Sequence, residues 1–113
     1  MDKLLKEQDV KGFLSEVRKT FPNFVAGIIT DKNGFPIASE MPEKFHIREN
    51  ELALSAITDT RDIIPEGESE YMQVKRDIGK EENVRMLLLL RKSYKYINRF
   101  KSLKKIVRNQ NLF

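Results

Sequence analysis

Apolar residues recur with the helical period at the start of the chain. Val10, Phe13, Leu14, Val17 and Phe21 fall at i, i+3, i+4, i+7 and i+11, which lines them up on one stripe of a helix. The spacing predicts an amphipathic helix over 2–20, with Asp2 as its N-cap and Pro22 closing it. Gly12 lies mid-helix and weakens it by about 1 kcal/mol relative to alanine. From Phe24 to Thr30 the pattern changes. This run is short, rich in β-branched residues and apolar on both faces, and predicts a strand covered on both sides. Gly27 inside it predicts close packing of a helix against the sheet. Asp31-Lys32-Asn33-Gly34 follows, and Asn and Gly accept the positive φ of a tight hairpin turn. The chain returns as a second strand, Phe35 to Glu40. Pro36 cannot donate to a ladder, which places this strand at a sheet edge.

Met41 to Ile47 reads as a loop, and Arg48 to Ile64 as a second helix ended by Pro65-Glu66-Gly67. Its apolar residues, Leu52, Ala53, Leu54, Ala56, Ile57, Ile63 and Ile64, do not form one narrow stripe. A helix apolar on more than one side wants more than one neighbour: the sheet, and a second chain. Glu70 to Asp77 alternates weakly as a strand, Gly79 to Asn83 is a polar turn, and Val84 to Leu90 is the most apolar stretch and predicts a central strand. The last segment, Lys92 to Asn109, is predicted helical. Tyr96, Phe100, Leu103 and Val107 form its apolar stripe, with Tyr94, Lys101, Lys105 and Arg108 on the opposite face. The order α-β-β-α-β-β-α predicts an α/β fold of the layered α+β kind, an antiparallel sheet covered by helices, in a single domain over 1–113.

The charge is unevenly spread. Residues 1–74 hold 9 Lys+Arg and 14 Asp+Glu, whereas residues 75–113 hold 12 and 3. From Arg91 onward there are eight basic residues and no acidic one. Two readings follow. Lys104, Lys105 and Arg108 complement the helix dipole, or the basic face meets an anionic partner, which is an acidic protein, an anionic membrane surface or a nucleic acid. Against nucleic acid, the strands lack an aromatic platform and no DNA-binding motif is present. The longest uninterrupted apolar run, Met86 to Leu90, is too short to span a bilayer. The charged start, Met1 to Glu7, is no secretory signal, so a cytoplasmic location is expected. The chain has no cysteine, which excludes disulfides and thiolate metal sites.

Little else suggests chemistry. His46 is the sole histidine and has no second ligand in sequence for a metal. Glu40, Glu43, Glu49 and Glu51 cluster, but nothing apolar encloses them, as general acid–base catalysis requires. The five glycines cannot build a phosphate-cradling loop. Neither an enzyme, a cofactor nor a small-molecule substrate is expected.

The stretch Phe24 to Ser39, with its turn Asp31-Lys32-Asn33-Gly34-Phe35-Pro36-Ile37-Ala38, resembles the Roadblock/LC7 family. The family pattern is a leading helix, an apolar strand, Asp-x-x-Gly-x-Pro-Ile-Ala and a long central helix, to which 48–64 corresponds. The family has three strands after that helix. Two are placed here, around 70–77 and 84–91, and a further strand near Tyr94 to Phe100 is either hidden or missing, so the sheet has four or five strands. The resemblance implies a small non-enzymatic dimer, formed with itself or with a sister Roadblock protein. Pairing runs through the central helix and the strand after it, which puts Leu54, Ile57, Arg61, Tyr71 and Gln73 in the interface. It further implies a scaffold or regulator of a small Ras-like GTPase. A nucleic-acid or anionic-membrane-surface binder using the basic helix is the alternative.

Overall fold

The computed structural model describes residues 7–45, 47–57, 71–78 and 83–110. Helix α1 is Glu7–Thr20, strand β1 Phe24–Asp31, strand β2 Pro36–Glu40, helix α2 Glu49–Ile57, strand β3 Tyr71–Asp77, strand β4 Val84–Arg91 and helix α3 Arg99–Asn109. Among the described residues the chain is a mixed α/β protein of three α-helices and one four-stranded antiparallel sheet, in the order β2-β1-β4-β3.

The order of burial follows the hydrophobic pattern. β1 and β4 are the inner strands, and Leu87, Leu88, Leu89 and Leu90 of β4 are wholly buried. Alternate residues of a strand face opposite ways, so β4 supplies both layers. Met86, Leu88 and Leu90 pack with Ile29 against the stripe of α1 and against Leu103 of α3. Leu87 and Leu89 pack with Ala26 and Ile28 against Leu52, Ala53 and Ala56 of α2. The sheet is thus sandwiched, α1 and α3 on one face and α2 on the other. Each fully buried leucine contributes roughly 1.5–3 kcal/mol from removal of apolar surface from water. Pro36 opens β2 at the sheet edge, as the sequence predicts.

Two irregularities shape β1. Opposite β2 the register slips by one residue between Ile29–Ala38 and Thr30–Pro36, leaving Ile37 as an extra residue. Opposite β4 it slips between Phe24–Leu90 and Ala26–Leu89, leaving Val25 as the extra. A bulge of this kind re-aims the side chains on either side. Phe24 joins the α1 and α3 layer, while Val25 and Ala26 both join the α2 layer. The Phe24 ring then lies across Gly27, where a Cβ would come 3.0 Å from Phe24 Cζ and 3.1 Å from Leu88 Cδ2. Gly27 therefore makes room for an aromatic ring of its own strand, and the expectation of a closely packed helix there is corrected.

The β1–β2 turn is built by two residues. Asp31 Oδ1 accepts hydrogen bonds from the Asn33 and Phe35 N–H groups at 2.8 and 3.0 Å, and the Gly34 N–H donates to the Asp31 carbonyl at 3.2 Å. Gly34 then takes φ +88°, which reverses the chain into β2.

Of the three predicted helices, two are described only in part and one changes. The helix predicted over 2–20 is described from Glu7, and that over 48–64 from Glu49 to Ile57; Asp2 and the Pro65 stop lie outside the described residues. The helix predicted over 92–109 is broken. Ser93 Oγ accepts from the Lys95 N–H at 3.2 Å and caps a 3-10 turn at Tyr94–Tyr96. Bonds from residue i+3 back to residue i then lead the chain into α3: Ile97 to Tyr94, Phe100 to Ile97 and Lys101 to Asn98. These residues also exclude a strand between Tyr94 and Phe100. Among the described residues no helix is long and apolar enough to cross a membrane.

Candidate interaction surfaces

Two surfaces carry the residues that the sequence singles out, and they lie on opposite faces of the sheet. The first comprises the outer side of α2 and those residues of β3 that face the same side of the sheet. The start of α2 is held by its own acids: the Arg48 N–H donates to Glu51 Oε1 at 3.3 Å, and Glu49 and Glu51 sit in the first turn, where the helix dipole favours negative charge. Leu52, Ala53, Ser55 and Ala56 are buried. Leu54 projects from the side of the helix opposite Leu52 and Ala56 and is 58% exposed. Ile57 is half-buried and turned onto the hairpin, since a Cβ at Gly34 would lie 3.0 Å from its Cδ1.

β3 is the terminal strand of the sheet beside β4. Gln73 lies opposite Leu89 and Tyr71 opposite Arg91. Leu89 belongs to the α2 layer, so Tyr71 and Gln73 face the same side of the sheet as α2. The Arg91 guanidinium sits 5.5 Å from the centre of the Tyr71 ring, a cation–π contact that ties the end of β4 to the start of β3. The fold thus brings Leu54, Tyr71 and Gln73 to one side of the sheet. Ile57 is diverted to the turn, and Arg61 lies outside the described residues.

The second surface is formed by α3 and the end of β3. Phe100, Leu103 and Val107 line the floor of a cleft of about 610 Å³, and Arg76, Asp77, Lys101, Lys104 and Arg108 stand around it. Leu103 is buried, whereas Phe100 and Val107 are half-buried. Phe100 is held by the Phe21 ring, with centroids 5.2 Å apart and tilted by 57°. The C-terminal end of α3 is tied down where Gln110 Nε2 donates to the Ile78 carbonyl at 2.9 Å.

The cationic face differs from the one read in the sequence. Lys101 and Arg108 flank the apolar stripe rather than opposing it, because at 3.6 residues per turn they fall beside Lys104 on the edge next to Phe100. Lys105 alone of the predicted set points away from the cleft, and Tyr94, 93% exposed, belongs to the 3-10 turn and not to α3. Arg76 was not among the predicted residues. It comes from β3, and only pairing of β3 with β4 brings it near α3; no pattern within either segment carries that information.

His46 lies outside the described residues, and among those described no three His, Asp or Glu side chains gather as a metal site. Glu40 is engaged with Arg18 at 3.2 Å, and Glu49 with the Ser39 hydroxyl. No family model, curated protein or solved structure matches the chain.

Proposed function

We propose that this chain is a non-enzymatic interaction module of the Roadblock kind, which pairs with a second copy or a sister protein through α2 and β3. The joined surface would scaffold or regulate a small Ras-like GTPase. The resemblance of the hairpin Asp31 to Ala38 supplies the family and the partner class. Among the described residues, β3 is the next strand after α2 and lies at the sheet's end, and α2 is the one helix on its face, which fits that reading. The observation that carries it is Leu54: a large apolar side chain on the outer face of α2 that the described residues leave largely exposed.

Light scattering over a wide concentration range tests the pairing. The reading expects a dimer, and expects Leu54→Asp to give a folded monomer, because Leu54 contributes little to the core. Ile57→Asp is the poorer probe, since Ile57 also covers the Gly34 turn. A wild-type chain that stays monomeric, both alone and co-expressed with sister proteins, overturns the reading. Pull-down probed for small GTPases tests the partner. Calorimetry with GTP and ATP should show no heat of binding, and micromolar affinity for either would replace the scaffold with an enzyme.

A further inference from the structure

The cleft between α3 and the end of β3 combines two features that rarely have one use. Its floor is apolar, made by Phe100, Leu103 and Val107, and its rim is cationic, made by Arg76, Lys101, Lys104 and Arg108. The single acid on the lining, Asp77, lies 2.6 Å from Arg85 Nε in an ion pair, so it does not answer the rim. Lys101, Lys104 and Arg108 make no ion pair among the described residues. Nothing within the described fold neutralises this edge.

The lining stretch of α3 from Phe100 to Arg108 spans about 12 Å at 1.5 Å per residue, or a little over two helical turns. A cleft of about 610 Å³ along that length takes several apolar side chains in a row. A nucleic-acid backbone would use the cations and leave the floor without anything to bury. A flat bilayer does not reach into a concave cleft. An amphipathic peptide with apolar residues at helical spacing and carboxylates beside them meets both features at once. We propose that this cleft is the docking site for a short acidic amphipathic helix of a partner protein. It lies on the α1 and α3 face, away from α2 and Leu54, so it stands or falls independently of the pairing surface.

The test uses the full chain and a fluorescent peptide of about three turns, with leucines at i, i+3, i+4 and i+7 and glutamates between. Two control peptides carry serine for leucine, or lysine for glutamate. Anisotropy should show saturable binding of the first peptide and of neither control. Lys101→Glu with Lys104→Glu should weaken it by at least about tenfold, because like charges then face across the contact. Lys105→Glu, the same kind of charge change outside the cleft, should alter it by less than about twofold, as for a charge set back from the contact. Val107→Ser should also weaken binding; if that variant fails to fold, the exposed lysine pair decides alone. Amide shifts on titration should concentrate at residues 76–77 and 100–108. The proposal is overturned if the first peptide does not bind, if the serine control binds equally, or if Lys105→Glu is as damaging as the Lys101 and Lys104 pair. It is also overturned if duplex DNA or phosphatidylserine vesicles bind through these residues while the peptide does not.

Discussion

Gly34→Ala isolates two terms that meet at one backbone position. At φ +88° an L-residue is strained by roughly 1–3 kcal/mol. A Cβ there also lies 3.0 Å from Ile57 Cδ1, closer than carbon atoms pack at rest. That atom is the end of a half-buried side chain, so it can swing aside at the expense of an unfavourable rotamer, about 0.5–1.5 kcal/mol. Gly34→Ala should therefore cost about 1.5–4.5 kcal/mol in all. The second term is removable. Ile57→Val deletes Cδ1 and leaves the turn intact, so the cost of Gly34→Ala in that background should fall by about 0.5–1.5 kcal/mol, a coupling energy read from a double-mutant cycle. Gly34→Asn separates the terms from the other side, because asparagine tolerates positive φ yet still carries the Cβ. Denaturant unfolding of the four variants, compared at constant slope, gives these differences directly. An unchanged midpoint for Gly34→Ala would refute the backbone reasoning. An equal loss in both Ile57 backgrounds would refute the contact.

Gly12→Ala should stabilise the protein by about 0.5–1 kcal/mol, since a Cβ at this exposed position of α1 meets nothing within 4 Å; thermal unfolding checks it. Gly27→Ala should destabilise by about 1–3 kcal/mol as the Phe24 ring is displaced, and the loss should shrink in a Phe24→Leu background. Asp31→Ala should cost about 1–3 kcal/mol, because one carboxylate oxygen serves both the Asn33 and Phe35 N–H groups. Its amide exchange should quicken first at Asn33 and Phe35.

The elements of this fold were legible where one local pattern determines them. The apolar stretch at 84–90, unbroken from Met86 to Leu90, named an inner strand, Pro36 named an edge, and Asn33-Gly34 named a turn. What failed to show were offsets of a single residue. The bulges at Val25 and Ile37 leave no trace in an alternating pattern, yet the first one decides why Gly27 is glycine. The break near Ile97 was equally silent. A single 3-10 turn is too short to shift an apolar pattern visibly, and the deciding bond, from the Lys95 N–H to Ser93 Oγ, is local to the turn. The cationic cleft was half legible. Lys101 and Arg108 were visible on α3, but their side of the helix depends on where the floor lies, and Arg76 joins them only through the sheet. Of the proposed pairing surface, the resemblance pointed to Leu54 and Ile57 alike, and the fold divides them between solvent and the hairpin turn.

The seating of β4 between β1 and β3 has a kinetic consequence. Val84 pairs with Asp31 and Leu90 with Phe24, contacts that bridge half the chain, and both hydrophobic layers draw on this one strand. The β1–β2 hairpin forms locally, but neither α1 nor α2 has a finished surface to rest on until β4 arrives. Closing so long a loop is entropically uphill before any reward is collected, so the search for the β1–β4 register should set the folding rate. Once β4 is in place both layers condense together. The two faces of the sheet therefore melt as one, and substitutions in β1 or β4 should slow refolding where those in α3 mainly hasten unfolding.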